Sequence, residues 1–402
     1  TWFLYNKLVI PEYRLDAAFW VYQCSIATTL LGIVQVPYGS LIMAHEKMGI
    51  YAYLSIFDVV LKLILVFLLS YLSVDKLIFW AFCGVFVTIL YNTFNYIYCH
   101  KHFKESHISF YKEISLYKKL FTYSFWFFIG SLSSLAQGQG QNMMLNIFFD
   151  PTINAARGIA MTIQGAIVQF SSNFTIASNP QITKLYANGN IKEMMNLIYN
   201  SSCLSFFLLY VFALPLCLEI DYVLQIWLGT YPDYTQIFTL LIITNSLIWS
   251  IKSYRVTALH ATGHIKLSNL TVGVILCMTL PISYFFLNLG YPPTSVFIVT
   301  IFTNIIAELI ACFILKRYLS YSISNYLYNV YGRCLFVSII SFIIPYIIHL
   351  SFEQNFYRLC IVTICSIISV CITAFIFGFE KNTKGIISLY IRNKIKCFFS
   401  SL

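Results

Sequence analysis

The chain has 402 residues, of which 59% are hydrophobic, 18% aromatic and only 10% charged, and its mean hydropathy is +0.76. Soluble domains carry about 25% charged residues. The composition therefore excludes an ordinary soluble protein and predicts an all-α membrane protein that crosses the bilayer many times.

Apolar segments of roughly spanning length follow one another along the chain, separated by short polar breaks. Residues 1–4 resemble the tail of a helix, and the first residue is Thr1, so we expect the N-terminus of a longer protein to be missing. About 20 residues span the hydrocarbon core. By that measure eleven spans are predicted, at 19–44, 51–72, 77–98, 120–149, 151–186, 201–228, 235–261, 267–289, 292–315, 334–350 and 356–379.

Lysine and arginine are concentrated in every second break between these spans. One set of breaks, with the C-terminal tail, holds seventeen of them, and the alternate set holds four. Basic residues favour the cytoplasmic side. The distribution predicts that the loop 101–119 and the C-terminus are cytoplasmic, and it explains the net charge of +10 without nucleic acid as a partner.

A weak internal repeat divides the chain. Trp2-Phe3-Leu4 followed by Pro11-Glu12-Tyr13 resembles Trp227-Leu228 followed by Pro232-Asp233-Tyr234. An even number of predicted spans lies between the copies, so the halves share one orientation, as in many transporters. The second copy begins near Leu116, about 110 residues before Trp227, whereas the corresponding Trp2 is the second residue of the sequence. The first copy would therefore lack about 110 residues, or two and a half spans.

This repeat predicts three parts of the chain. Residues 1–115 are the remainder of an N-terminal lobe, 116–318 are a C-terminal lobe, and 319–402 hold two further helices and a basic tail. The tail, at 384–398, alternates apolar and basic residues, which is typical of an amphipathic helix on the inner leaflet.

The segment 151–190 is long enough to span the bilayer but carries many amides and hydroxyls. A helix that faces lipid on all sides does not tolerate so many polar groups. The segment therefore predicts a wet or protein-lined interior on one side. Its polar residues are Gln164, Gln169, Ser171, Ser172, Asn173, Thr175, Ser178 and Asn179.

Three basic residues inside predicted spans, Arg157, Lys252 and Arg255, have no acidic residue nearby on the same helix. A charge within a span is expensive and usually functional. Arg157 could line a cavity, with Gln164 seven residues on along the same face, or extend to the outer surface. Lys252 and Arg255 are three apart and share a helical face. They could line the cavity, or pair with Glu308 on another span.

Two further features leave alternatives open. Asp58 and Lys62 are four apart on one helix and could pair with each other. Alternatively they could take part in coupling transport to an ion, and Glu308 is a further candidate for that role. The run from Gln137 to Asn142 alternates amides with glycines. It could pack tightly against a neighbouring helix or offer Gln137, Gln141 and Asn142 to a sugar.

Enzyme and metal motifs are absent from the sequence. The twelve cysteines are scattered without a CxxC pair and are typical of packing residues. Cys99-His100-Lys101-His102, with His107, could bind a metal, but we expect a basic polar loop. No glycine-rich phosphate loop or zinc-protease motif occurs, so we predict a protein that is not an enzyme and needs no cofactor.

Several short motifs resemble one transporter family. They resemble the polysaccharide-biosynthesis flippases of the Wzx type, in the multidrug/oligosaccharidyl-lipid/polysaccharide exporter superfamily. The motifs are Asn154-Ala155-Ala156-Arg157-Gly158, Asn179-Pro180-Gln181-Ile182-Thr183-Lys184 with Gly189-Asn190, Gln35-Val36-Pro37-Tyr38 with Ala44-His45-Glu46-Lys47-Met48, Pro281-Ile282-Ser283-Tyr284 and Leu289-Gly290-Tyr291-Pro292-Pro293.

The resemblance implies a fold and a function. The fold would be two six-helix lobes around a central cavity, followed by two extra helices, with helices 1 and 2 and most of helix 3 absent. The function would be to move a polyprenyl-diphosphate-linked oligosaccharide across the bacterial inner membrane by alternating access. Its partners would be that lipid-linked oligosaccharide, the bilayer, and other membrane proteins of polysaccharide assembly.

On this hypothesis, Arg157, Lys252 and Arg255 contact the diphosphate, because fixed cations favour phosphate in a low-dielectric cavity. The sugar path is lined by Gln137, Gln141, Asn142, Gln164 and Asn173. Two alternatives remain. A multidrug cation antiporter of the same superfamily predicts acidic cavity residues, and a membrane-embedded glycan polymerase or acyltransferase predicts a large outer loop or a His/Arg cluster.

Overall fold

The protein is built from long helices. The computed structural model describes residues 15–71, 75–107, 112–319, 321–379 and 384–385. Within these residues there is no strand, and nine of the helices are long and apolar enough to cross a membrane. The predicted all-α membrane protein is confirmed.

Twelve helices are found in the described residues, together with a short 3-10 turn at Lys104–Ser106. In chain order they are α1 Leu15–Ala44, α2 Met48–Tyr71, α3 Lys76–His102, α4 Ile114–Phe148, α5 Pro151–Ala187, α6 Ile191–Leu218, α7 Ile220–Leu228, α8 Thr235–Ala261, α9 Ile265–Asn288, α10 Thr294–Tyr318, α11 Ile323–Ser351 and α12 Phe356–Gly378.

Helices α4 and α5 occupy two of the predicted spans but are more polar than the others. They are 35 and 37 residues long, and they are absent from the nine apolar spans. The physical reason is their content of amides, glycines and hydroxyls, which lowers hydropathy without shortening the helix. Each packs on the bundle through one face, α4 along α9 and α5 along α6 and α8, and exposes another.

The predicted span 201–228 is wrong as a single helix. The chain forms α6, breaks at Glu219 and continues as the short α7. The Glu219 side chain is fully buried and accepts hydrogen bonds from His349 Nδ1 at 2.8 Å and from Arg358 Nη2 at 2.8 Å. Because the helix breaks at Glu219, the carboxylate lies within hydrogen-bond distance of His349 of α11 and Arg358 of α12.

Local sequence signals set several helix ends. Asp75 caps α3 by accepting from the backbone N–H of Leu77 at 2.9 Å, and Asn355 caps α12 by accepting from Arg358 N at 2.7 Å. After α5 the chain turns at Gly189, whose φ of +75° is left-handed and favours glycine.

The described helices form two compact units, Thr1–Lys112 and Glu113–Leu402. In the first unit, α1 and α2 both pack on α3. A small buried core at one end of this unit contains Ile42, Cys99 and Phe103. Asn92 Nδ2 donates to the Leu31 carbonyl at 2.7 Å, which ties α3 to α1.

The second unit contains α4 to α12. Its main core lies where α6 packs against α8, α11 and α12, with Phe207, Tyr254, Val337 and Val370 among the buried side chains. A π-helical turn at Leu327–Gly332 forms part of α11. The last two helices are therefore packed on the same core as α6 and α8.

Three sequence predictions fall outside the described residues, wholly or in large part. The helix stub at 1–4 and the first repeat copy at 2–13 lie before residue 15, and most of the predicted tail 384–398 lies after residue 385. The lobe assignments that depend on the repeat stay predictions.

A candidate cationic cleft between four helices

A cleft of about 490 Å³ with both polar and apolar lining residues lies in the second unit between α4, α5, α8 and α9. We name it the lysine cleft. The residues that carry its chemistry are Thr175, Asn179, Trp249, Lys252, His260 and Asn269. It lies toward the helix ends that bear Lys184, Lys192, Lys266 and Lys316, because His260 is next to the end of α8 and Asn269 is near the start of α9.

Lys252 is the positive charge in this cleft. Its side chain is half-buried, and Nζ donates to Asn304 Oδ1 at 3.3 Å. Asn304 is itself held, because its Nδ2 donates to Asn245 Oδ1 at 3.0 Å. Among the residues that the structure describes, no carboxylate forms an ion pair with Lys252.

Arg255 lies one turn further along α8 and forms a buried ion pair with Glu308 of α10. Nε is 2.8 Å from Oε1 and Nη2 is 2.6 Å from Oε2, and both side chains are only 4% exposed. Arg255 is therefore engaged by a carboxylate, and the structure gives no support to its predicted contact with a diphosphate. The alternative of pairing with Glu308 is what the structure contains.

Helix geometry explains why two basic residues three apart behave so differently. Both side chains reach toward α10, where Asn304 and Glu308 are one turn apart, so an amide faces Lys252 and a carboxylate faces Arg255. Glu308 is near enough to attract Lys252, but both its oxygens bind Arg255. Lys252, Arg255 and Glu308 together carry a net charge of +1, and the group that presents this charge to the cleft is the Lys252 ammonium.

Arg157 lies apart from the lysine cleft. Its Nη1 donates to Asn142 Oδ1 at 3.2 Å and its Nη2 to the Gly138 carbonyl at 3.1 Å, while Nε is buried without a hydrogen-bond partner. Arg157 is six residues into α5 and Lys252 is seventeen residues into α8. Both helices begin at the same end of the unit, so the two groups differ by about 16 Å in depth.

Gln137 and Gln141 hold helices together and do not line a path. Both are buried. Gln137 Nε2 donates to Thr279 Oγ1 at 2.8 Å, and Gln141 Nε2 donates to Thr300 Oγ1 at 2.7 Å. Between them, a Cβ on Gly140 would lie 2.5 Å from Leu280 Cδ2. Of the two alternatives, close helix packing is the one that the structure contains, and it gives no support to the predicted sugar contacts of these two glutamines.

The other predicted polar residues have mixed positions. Gln164 is half-buried and donates to Ser246 Oγ at 2.8 Å, and Asn142 is engaged by Arg157. Asn173 is exposed and accepts from Gln169 Nε2 at 3.1 Å. Asn173 lies on an exposed stripe of α5 with Gly158, Thr162, Gly165 and Gln169, and the exposed apolar side chains Met161 and Phe170 flank this stripe.

Asp58 and Lys62 form the ion pair that their spacing favours. Lys62 Nζ is 2.7 Å from Asp58 Oδ2 on α2, in the first unit. The lysine is 52% exposed and the aspartate 26%. A role of this pair, or of Glu308, in ion coupling stays a hypothesis.

The histidines of the first unit cluster through ring contacts. The rings of His100 and His107 are 4.1 Å apart, and His45 stacks on Phe103 at 4.1 Å. Over the described ranges, no group of three or more His, Cys, Asp or Glu side chains is arranged to hold a metal ion.

Sequence reasoning missed several residues of the lysine cleft. Lys252 was predicted, but Trp249, Thr257 and His260 of the same helix were not. Their signal is helical spacing, because positions 249, 252, 256 and 260 recur every three or four residues and so share one face. Thr175 and Asn179 were among the polar residues that predicted a wet or protein-lined interior, and both line the cleft; Asn179 Oδ1 accepts from Thr257 at 2.9 Å.

Comparison with known proteins adds no assignment to this geometry. The chain matches no protein-family model, no curated protein and no solved structure. The functional conclusion therefore depends on the cleft itself and on the motifs quoted from the sequence.

Proposed function

We propose that the protein is a flippase that carries a polyprenyl-diphosphate-linked oligosaccharide across the bacterial inner membrane. The observation that carries this proposal is Lys252, a basic group in the lysine cleft of the membrane-spanning bundle, with no carboxylate bound to it in the described part of the chain. An ionised side chain at the centre of a bilayer costs about 2.5–3.5 kcal/mol on insertion scales, and such residues mark ion or substrate pathways.

The charge of the cleft favours an anionic ligand. Glu308 neutralises Arg255, so the positive charge of Lys252 is left over. A diphosphate would bind there by charge-assisted hydrogen bonds, which are strengthened where water is partly excluded. Lysine is a compact point charge that binds phosphate without the fixed geometry of arginine, which suits a group that must later be released.

The polar and aromatic surroundings suit a sugar beside the anion. Asn179 Oδ1 accepts from Thr257 and Asn269 Nδ2 donates to the Trp126 carbonyl, which leaves Asn179 Nδ2 and Asn269 Oδ1 for a sugar. Trp249 presents a partly exposed ring to the same cleft. The exposed stripe of α5 extends this surface toward Gln169 and Asn173. Amides supply hydrogen bonds to hydroxyls, and an aromatic ring supplies an apolar face.

A cation antiporter of the same superfamily is less well supported. It requires a free carboxylate in the spans, whereas Asp58 is 2.7 Å from Lys62 and Glu308 is 2.6 Å from Arg255. Each acidic group is thus already matched by a base. The lysine cleft carries the opposite charge to the one that a cation would need.

The proposal is tested by following lipid-linked repeat units in cells that lack the gene. Loss of a flippase should strand single units on the cytoplasmic leaflet, where they resist modification by enzymes added to the outer side. Loss of a polymerase would leave single units that have crossed, and that result would overturn the proposal.

Variants then connect the defect to the cleft. Lys252→Met should fail to restore transport, whereas Lys316→Met, an exposed lysine at the end of α10, should restore it fully. Equal rescue by the two variants at equal protein levels would show that the cleft charge is not needed.

A further inference from the structure

A second cleft, of about 520 Å³, lies on the other side of α8, between α6, α8, α10 and α11. We name it the apolar cleft. Its floor is formed by buried side chains, which are Phe206, Tyr210, Ile251 and Cys334. Pockets that bind small molecules have volumes of about 300–1,000 Å³ and are mostly apolar, so the size and lining fit a ligand site.

The rim of the apolar cleft is exposed. Leu335 is 62% exposed, and Leu309 and Ile305 are 42% and 39% exposed. These residues belong to α11 and α10, so the cleft opens sideways between two membrane-spanning helices. The medium at this opening is lipid hydrocarbon.

The depth of the cleft restricts what can reach it. Ile248, one of its lining residues, lies thirteen residues from each end of α8, Thr235 and Ala261. At 1.5 Å per residue this is about 20 Å from either end. The hydrocarbon core of a bilayer is about 30 Å thick, so a position midway along α8 lies within it. Lipid headgroups and water-borne ligands stay outside this layer and do not reach the cleft from the side.

Volume and polarity exclude two other occupants. A 10 Å length of helix, about 10 Å across with its side chains, fills roughly 800 Å³ and would not fit in about 520 Å³. Water needs two to four polar partners, and an apolar cavity stays dry. In this cleft Glu308 is the one charged lining residue, and Arg255 binds both its oxygens.

We propose that the apolar cleft holds one acyl chain of a bilayer phospholipid, inserted sideways between α10 and α11. The chain fills the space over the floor and keeps water away from Glu308. It also contacts α8, α10 and α11 together, so it stabilises the packing of α11 on the bundle through dispersion contacts.

The position of α8 favours a bilayer lipid over the tail of a transported lipid. Trp249, Lys252 and Val256 face the lysine cleft, whereas Leu247, Ile248 and Ile251 face the apolar cleft. A lipid with its headgroup at Lys252 would have to pass its tail around α8. The inference therefore does not depend on the proposed transport function.

Photochemical labelling tests this site. The full chain is placed in vesicles of phosphatidylethanolamine and phosphatidylglycerol that contain a small fraction of phospholipid with a diazirine at the end of one acyl chain. After irradiation, peptides are mapped by mass spectrometry. We expect adducts at the lining positions of α8, α10 and α11 to exceed those at Ile339, an exposed residue of α11 outside the cleft, by several-fold.

Matched variants sharpen the result. Leu309→Trp should fill the opening and lower cleft labelling several-fold, whereas Ile339→Trp should leave it unchanged. Leu335→Trp, at the opposite rim, should also lower cleft labelling several-fold. Monodisperse elution and a far-UV circular dichroism spectrum like that of the parent verify that a variant is folded, and both rim variants are compared with Ile339→Trp.

Two outcomes would overturn the proposal. Labelling at cleft positions that is no higher than at Ile339, or that is insensitive to a folded rim variant, would show that no acyl chain resides there. Loss of labelling on adding unlabelled polyprenol, with no loss on adding the same mole fraction of phospholipid, would assign the cleft to an isoprenoid chain.

Discussion

Arg255 and Glu308 form a two-point ion pair in the middle of the second unit, with nitrogen–oxygen distances of 2.8 and 2.6 Å. Both groups are almost fully buried, and they join α8 to α10 between the two clefts. Removing one partner of a buried pair leaves an uncompensated charge, which is the more costly change.

We therefore predict that Arg255→Met and Glu308→Gln each lower the free energy of unfolding by about 3–5 kcal/mol. The double variant Arg255→Met/Glu308→Gln removes both charges and should recover most of that loss. The measurement is reversible unfolding in detergent micelles, analysed as a double-mutant cycle. A double variant as unstable as the sum of the single ones would contradict this account.

Lys252 should govern the binding of anionic lipid in vitro. Lys252→Met removes the only charge that faces the lysine cleft in the described structure, and we expect it to weaken binding of a polyprenyl diphosphate at least tenfold, or about 1.4 kcal/mol. Lys252→Arg keeps the charge and should retain part of the affinity. The measurement is titration of the purified protein in micelles at fixed salt.

Lys316→Met is the control for this titration, since it removes an exposed charge at the end of α10. Surface charges are screened by salt, so its effect should vanish at high ionic strength. A loss for Lys252→Met that also vanishes at high salt would point to nonspecific attraction in place of a bound diphosphate.

The glycines of α4 should differ sharply in their tolerance of a side chain. A Cβ at Gly140 would lie 2.5 Å from Leu280 Cδ2, whereas a Cβ at Gly138 would meet nothing within 4 Å. Overpacking of this kind costs about 1–3 kcal/mol. We predict that Gly140→Ala lowers the melting temperature of the protein and that Gly138→Ala leaves it unchanged or raises it, because alanine is the better helix former.

A compensating change tests the cause. Leu280→Ala should partly restore the stability of Gly140→Ala, since it removes the atoms that the new Cβ meets. Failure of this rescue would show that the loss comes from some other property of α4.

Glu219 should be essential for the attachment of the last two helices. Its buried carboxylate binds His349 of α11 and Arg358 of α12. Glu219→Gln leaves the Arg358 side chain, only 11% exposed, without its counter-ion, and we expect a loss of about 3 kcal/mol in stability. Proteolysis in micelles should then release fragments that contain α11 and α12.

Glu353→Gln is the matched control, because Glu353 is exposed and lies in the loop between α11 and α12. Exposed ion pairs contribute about 0–1 kcal/mol, so this variant should resist proteolysis like the parent. Equal sensitivity of the two variants would mean that the buried network does not hold α11 and α12.

The fold could be predicted from sequence to the level of its helices, because hydropathy and span length are local properties. The predicted spans 235–261 and 151–186 agree with α8 and α5 to within one residue. The break at Glu219 could not be predicted in the same way, since it depends on partners 130 and 139 residues away.

The site was only partly predictable for a similar reason. A basic residue inside a span indicates function or pairing, and the sequence alone does not say which partner is within reach. From the sequence, Lys252 and Arg255 had the same two alternatives, a cavity or a pair with Glu308. In the structure, α10 places Asn304 beside Lys252 and Glu308 beside Arg255. For Gln137 and Gln141 the sequence left helix packing and sugar binding both open, because nothing local indicates that threonines of α9 and α10 lie opposite.

Helix α8 forms a wall of both the lysine cleft and the apolar cleft. Ligands in the two clefts would both contact α8. If a bound acyl chain changes the free energy of anion binding, then the bound anion changes the free energy of acyl-chain binding by the same amount. Membrane composition would then be a thermodynamic variable of anion recognition in this protein, and titrations in lipids of different chain length would measure that coupling.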